Sequence, residues 1–346
     1  MRFRYVLYGG AAMLLLVGSI GVCLSIGSAG LSVIDVWGIM LHWVTGIQLG
    51  GAEYPDSDVA IVTQLRLSRV LLAVLVGACL ATAGAGFQGV LRNPLADPFT
   101  LGVASGSSVG AAFLILFGFQ SFIGLWSIPI VSFITGVITL LGVLALARSR
   151  GTMNIETLVL AGVIVQSFLG AFVSFMVSMS QGVVNQILFW LMGSLALRSW
   201  EHVYMVLPFL AVGLPLILMN AQRLNLFAYG ERHAAHLGVH VERTKLIVLI
   251  ASTLLTAAAV SVSGVIGFVG LVVPHLLRLI CGPDYRLLVP LSAVCGGIFV
   301  LWADTVARMA LSPREIQLGI VTAIVGAPFF ALLLYRRKHG RGRLGA

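Results

Sequence analysis

Charge is what this chain has least of. Of its 346 residues, 10% are Asp, Glu, Lys or Arg and 59% are hydrophobic, whereas a water-soluble domain carries about a quarter of its residues charged. That excludes water as the main solvent. Cysteine is also scarce: Cys23, Cys79, Cys281 and Cys295 stand in or beside apolar runs with no CxxC spacing, so neither a disulfide framework nor a thiolate metal site is expected. No GxxxxGK[ST] loop appears, so the chain does not bind ATP in that way. HExxH is missing too, and the single GxSxG match, Gly106 to Gly110, lies inside an apolar run with no strand before it and so makes no nucleophile elbow. That leaves no catalytic residue to name and no enzyme to expect.

Acids and bases are absent from the middles of the apolar runs as well. An ion-coupled carrier keeps such a group near the bilayer midplane even at a cost of about 2.5 to 3.5 kcal/mol, but Glu156 and Asp304 lie near run ends. A secondary transporter is therefore the alternative of another class, and it would work without ATP. The formal charge of +9 comes from cations set between apolar runs. Without basic patches interleaved with aromatics, they are topology signals and no nucleic-acid partner is expected.

What is present is a series of runs near the ~20 residues that cross a ~30 Å hydrocarbon core. Ten spans are expected, at about 5–26, 67–91, 99–118, 124–147, 156–179, 203–220, 244–261, 265–281, 287–308 and 316–335. The first is too long for a signal-peptide core and is taken as an uncleaved span. Val183 to Leu197 is too short and suggests a re-entrant or interfacial helix. Leu246 to Ile280 would stretch ~50 Å as one helix, so Ser261, Ser263 and Gly264 are expected to break it into an out-and-back hairpin.

The positive-inside rule orients the chain. With the N-terminus inside, sixteen of 21 Lys and Arg fall on the cytoplasmic side, among them Arg148, Arg150, Arg223, Arg232 and the tail Arg336 to Arg343. Both termini are then cytoplasmic, and the outer segment 27–64 holds Asp35, Glu53, Asp56 and Asp58 without a cation. Five cations stay outside: Arg66, Arg69, Arg198, Arg308 and Arg314. They either snorkel at the interface or form a positive face for an acidic partner. Asp304 and Arg308 are also an i,i+4 pair, which if exposed contributes ~0.5 kcal/mol or less.

The most informative stretch is QGVLRNPLADPFTLGVASGSSVGA, Gln88 to Ala111. Pro94 and Pro98 stop a helix, Asn93 and Asp97 can cap the freed groups, and Gly102, Gly106 and Gly110 recur along one helix face. The expectation is a rigid loop feeding a closely packed helix. Residues 220–243 form the longest cytoplasmic segment, with room for one independent helix.

The stretch 88–111 resembles the signature of FecCD-type permeases of ABC importers for iron(III)-siderophores, haem and cobalamin. Further matching pieces are LRLSRVLLAVLVGACLATAG, GERHAAHLGV, GVIGFVGLVVPHLLRLICGPDYRLLVP, ADTVAR and GIVTAIVGAPFF. Their spread makes 1–346 one permease domain. The resemblance implies the all-α fold of a type II ABC importer permease, with ten helices per subunit, in a bacterial or archaeal cytoplasmic membrane.

It further implies a second permease subunit, two ATP-binding cassette subunits carrying the ATP and Mg, and an extracytoplasmic binding protein. By position, ATPase coupling falls on Gly230, Glu231, Ala234, Leu237 and Gly238, and binding-protein docking on Arg66, Arg69 and Arg308. The cytoplasmic gate falls on Asn93, Leu95, Ile155 and Glu156. Glu156 departs from the small hydroxyl residue expected there and suits the helix N-terminal dipole instead. His233, His236 and His240 are read as solvated or interface histidines, with no metal ligand. The implied cargo is an iron(III)-siderophore-type chelate, with cobalamin or haem as alternatives.

Overall fold

A computed structural model describes residues 2–27, 30–46, 54–119, 124, 126–149, 152–180 and 182–341. Glu53, Arg150 and Arg343, which entered the charge argument, lie outside these. The regular structure of the described residues is helical apart from one small hairpin. α1 is Arg2–Ser25, α2 Val33–Thr45, α3 Asp56–Val90, α4 Val103–Leu116, α5 Ser127–Ala147, α6 Ile155–Met179 and α7 Val184–Leu191. α8 is Trp200–Met219, α9 Ala221–Phe227, α10 Glu231–His236, α11 Val241–Ser263, α12 Val269–Cys281, α13 Tyr285–Met309 and α14 Leu318–Arg341. Strands β1 (Arg148–Ser149) and β2 (Thr152–Met153) pair antiparallel ahead of α6.

Every expected span coincides with a helix. Seven, namely α1, α3, α5, α6, α8, α11 and α13, are long and apolar enough to cross a membrane. α4 and α12, at 14 and 13 residues, are shorter. They rise only about 20 Å at 1.5 Å per residue, and each is preceded by irregular backbone: a 3-10 turn, Pro98–Leu101, and the stretch after Gly264. Such backbone is tolerated at membrane depth only when protein covers it.

The expected break between the seventh and eighth spans is real. α11 ends at Gly264, with φ +71, and α12 starts after Phe268. Backbone bonds cover the gap: Ser194 N donates to Ser263 O at 2.8 Å, and Leu318 N to Gly193 O at 2.9 Å. The short helix α7 and its following turn thus cap two other chain interruptions, which accounts for a run too short to span.

α3 is the axis of the bundle, with 83% of its apolar window buried against 11% for α1 and 22% for α6. Its glycines let neighbours touch backbone to backbone, as small residues do where lipid gives no hydrophobic drive between helices. Gly77 faces Gly296 of α13, and Gly84 faces Gly270 of α12. Gly106 and Gly110 of α4 lie against Thr139 and Thr135 of α5, so the expected glycine face is a helix contact. Gly102 instead turns the chain at φ +76.

One element was not expected. The segment 27–64 was read as an outer loop, yet it holds α2, and α3 begins at Asp56 with a π-helical stretch, Ile61–Arg66. α2 had a local signal: Ser32 caps it by accepting from Asp35 N at 3.2 Å, and Gly46 ends it in the left-handed region. The flanking acidic residues mask that cap in the sequence.

Candidate functional site: the two ends of the bundle

At one end, α3 gives way to the loop 91–102. Asn93 Oδ1 accepts the Leu95 amide at 2.9 Å, and Asp97 accepts the Phe99 amide at 2.8 Å while Thr100 Oγ1 accepts from Asp97 N at 3.2 Å. This closes a capping box over the 3-10 turn. A Cβ on Gly270 would come within 2.6 Å of the Pro98 ring, so the loop is seated on α12. The caps expected from the Asx pattern are present, and the loop packs against α12.

Burial pushes the Asp97 carboxyl up to about 6. Folding then takes up a proton between pH ~4 and ~6, so this group's contribution to stability is full below ~4 and is lost as pH rises through 6. Asp97→Ala is expected to cost about 1 kcal/mol through loss of the cap. Asp97→Asn keeps an acceptor and is expected to flatten the pH dependence in that window. Thermal unfolding of the purified protein from pH 4 to 7 separates the two effects, and identical profiles for wild type and Asp97→Asn would contradict this assignment.

Beside the loop, α10 is a single turn and a half. Gly230 enters it at φ +103 and Gly238 leaves the following turn at φ +84, conformations that side-chain-bearing residues rarely adopt. Ala234 is fully buried and Leu237 is 67% exposed. His233, His236 and His240 are exposed, and no group of three or more metal-ligating side chains occurs among the described residues.

The expected coupling and gate residues partly meet. Ile155, Glu156, Gly230 and Glu231 line one open cleft of about 1020 Å³, together with Arg92 and Met153. Asn93 and Leu95 are exposed on the loop next to it and do not line the cleft. Glu156 is exposed in the first turn of α6, with its amide held by Asn154 Oδ1 at 2.8 Å. That geometry suits a helix-start acid.

Three residues here were not singled out from the sequence. Lys245, treated only as a topology cation, is 1% exposed and donates to Glu231 Oε2 at 2.6 Å. Glu242 accepts the Met153 amide at 2.9 Å, and Arg92 lies 3.6 Å from Glu231. The signal that could have found Lys245 is its place one turn into an apolar helix, where a charge requires partners. Nearby, Arg286 beside Asp284 holds that carboxyl well below the usual carboxylate range, helped by the Asn225 amide and the Tyr5 hydroxyl. The Tyr5 bond, at 2.8 Å, ties the start of α1 to that of α13.

At the other end of the bundle, Arg66, Arg69 and Arg308 come together but turn inward. Arg66 is 6% exposed and donates to Leu24 O at 3.4 Å, and Arg308 reaches Ile26 O at 3.5 Å, both at the end of α1. Gly27 leaves room for the Arg66 guanidinium, 2.6 Å from where a Cβ would stand. Arg69 holds Asp304 and Glu315 with contacts of 2.9 to 3.2 Å. Asp304 is 1% exposed and also pairs with Arg308 at 3.2 Å.

The weak, exposed i,i+4 pair is thereby corrected. Asp304 is the centre of a buried network, to which the surface magnitude does not apply. Of the two remaining outer cations, Arg198 is half-buried and Arg314 exposed.

Comparison with known proteins places this architecture. The chain is 44% identical over 324 residues to the uncharacterized ABC transporter permease protein YvrB of Bacillus subtilis (strain 168), covering 93% of this chain and 91% of that one. It is 44% identical over 284 residues to the cobalamin import system permease protein BtuC of Halobacterium salinarum, covering 82% and 76%. A solved structure of an ABC transporter in an inward-facing conformation superposes with a TM-score of 0.81 at 33% identity, over 94% of this chain and 98% of that one. Residues 14–336 match the FecCD transport family, and the chain belongs to that family, as a multi-pass membrane permease of an ABC importer.

Proposed function

We propose that this chain pairs with a second permease subunit, identical or similar, to form the pathway for an iron(III)-siderophore-type chelate across a bacterial or archaeal cytoplasmic membrane. Two ATP-binding cassette subunits drive it, and an extracytoplasmic binding protein delivers the cargo. Cobalamin or haem would use the same route. The observation that carries this reading is the shared cleft: α10 opens onto the same space as the start of α6.

Both termini and α10 face the cytoplasm in this account, as the distribution of cations supports. ATP and Mg belong to the partner ATPases. Docking of the binding protein is assigned to the outer end, where Arg66, Arg69 and Arg308 set the shape and exposed Arg314 adds charge. Ion coupling finds little support: the buried Lys245 and Asp304 sit near helix ends and are paired.

α10 offers a direct test. Leu237 projects from its end, so Leu237→Asp is expected to reduce retention of the ATPase subunits by about tenfold, as loss of an apolar anchor does. Because the side chain is exposed, the thermal stability of the permease alone should move by no more than about 0.5 kcal/mol. Pull-down of tagged permease with its ATPase gives the answer, and undiminished retention would remove α10 from the contact.

A further inference from the structure

A buried ammonium is stable only where its protons are matched by acceptors. Lys245 finds them on three elements. Its Nζ donates to Glu231 Oε2 of α10 at 2.6 Å, to the Met153 carbonyl of β2 at 3.1 Å and to Glu242 Oε1 of its own helix at 3.3 Å. Glu242 completes a clamp, since its other oxygen accepts the Met153 amide at 2.9 Å. Both backbone groups of Met153 are therefore held by side chains of α11.

Met153 stands two residues before Ile155, where α6 begins, and Asn154 between them caps that helix. The hairpin has two residues per strand, too few to hold its position unaided. Its placement depends on the clamp. Glu231 also faces Arg92 at 3.6 Å, which brings in the loop after α3.

We propose that Lys245 is a positioning residue for transport: through Glu231 and Met153 it binds α10 to the hairpin that starts α6, so that the two move as one body. The physical reason is the contrast in strength between links. Lys245 is 1% exposed, so its ammonium has no water to turn to when these bonds are stretched, although Glu231 and Glu242 are 29% and 41% exposed. The short hairpin, by contrast, yields easily. Displacing α10 therefore carries the start of α6 along. The proposal rests on the reading of α10 as the ATPase contact.

The test uses the complete complex in lipid vesicles, with nitroxide labels introduced by His233→Cys and Thr157→Cys, both exposed positions on α10 and α6. In the wild-type background, ATP should leave the 233–157 distance unchanged while siderophore uptake proceeds. In Lys245→Met, ATP should shift or broaden that distance, and uptake per ATP hydrolysed should fall about tenfold, the scale of a lost coupling contact. Lys245→Arg, which keeps the cation, should retain most of both.

A Lys245→Met complex with the wild-type distance and the wild-type uptake per ATP would overturn the relay alone. Undiminished retention of the ATPase subunits by Leu237→Asp would overturn the reading of α10, and the relay with it. If Lys245→Met does not assemble, Glu242→Gln loosens the same clamp and should lower uptake per ATP by about threefold. An unchanged ratio there also overturns the proposal.

Discussion

Asp304→Ala should be the most damaging single change at the outer end. The carboxylate is 1% exposed and is the common partner of Arg69 and Arg308, so its removal leaves the buried Arg308 guanidinium without a carboxylate and Arg69 with Glu315 alone. Breaking a buried pair from one side costs about 3 to 5 kcal/mol, because the stranded charge keeps its desolvation penalty. For a chain of this size that corresponds to a fall in thermal midpoint on the order of 10 °C. Arg314→Ala, at an exposed neighbouring site, is the control and should stay within about 0.5 kcal/mol. A midpoint for Asp304→Ala indistinguishable from the control would show that the network is ornamental.

The second large effect lies in the middle of the bundle. At Gly84 any Cβ would land on the Gly270 backbone of α12, and at Gly270 it would meet the Pro98 ring and Leu80 O, the latter at 2.8 Å. Neither obstacle is the far end of a flexible side chain. Gly84→Val therefore has to push α3 and α12 apart, and with them the seat of the 91–102 loop, at a cost of about 3 kcal/mol. Gly142 on α5 has nothing within 4 Å of its Cβ position, so Gly142→Ala should be neutral or stabilising by up to about 1 kcal/mol. Yield and thermal midpoint of the two variants in detergent make the comparison, and equal behaviour would contradict the close packing of α3 on α12.

What the sequence disclosed, and what it withheld, divides along the range of the interactions. Apolar run length, prolines and Asx caps act within a few residues, and they located the helices, the break at Gly264 and the capped loop at Asp97. α2 carried the same kind of local signal in Ser32 and Asp35, and was obscured because its apolar stretch is short and flanked by acids. Arg69 pairs with Asp304 across 235 positions and Lys245 with Met153 across 92. No local pattern names such distant partners: the place of Lys245 one turn into an apolar helix calls for acceptors without saying which, and the i,i+4 spacing of Asp304 and Arg308 does not disclose Arg69. The gate set was split for the same reason: Ile155 and Glu156 reach the cleft at Glu231 through the hairpin fold, whereas Asn93 and Leu95 stay on their loop.

The central claim is that this chain moves cargo with energy supplied by ATP on partner subunits. Its most direct test is uptake by the reconstituted complex in lipid vesicles, with ATP inside or outside and with binding protein loaded with a ferric siderophore, cobalamin or haem. The account predicts that one loaded binding protein stimulates ATP hydrolysis and that its ligand crosses only when ATP is present on the side facing α10. Uptake that ignores ATP and collapses with the proton gradient would contradict it.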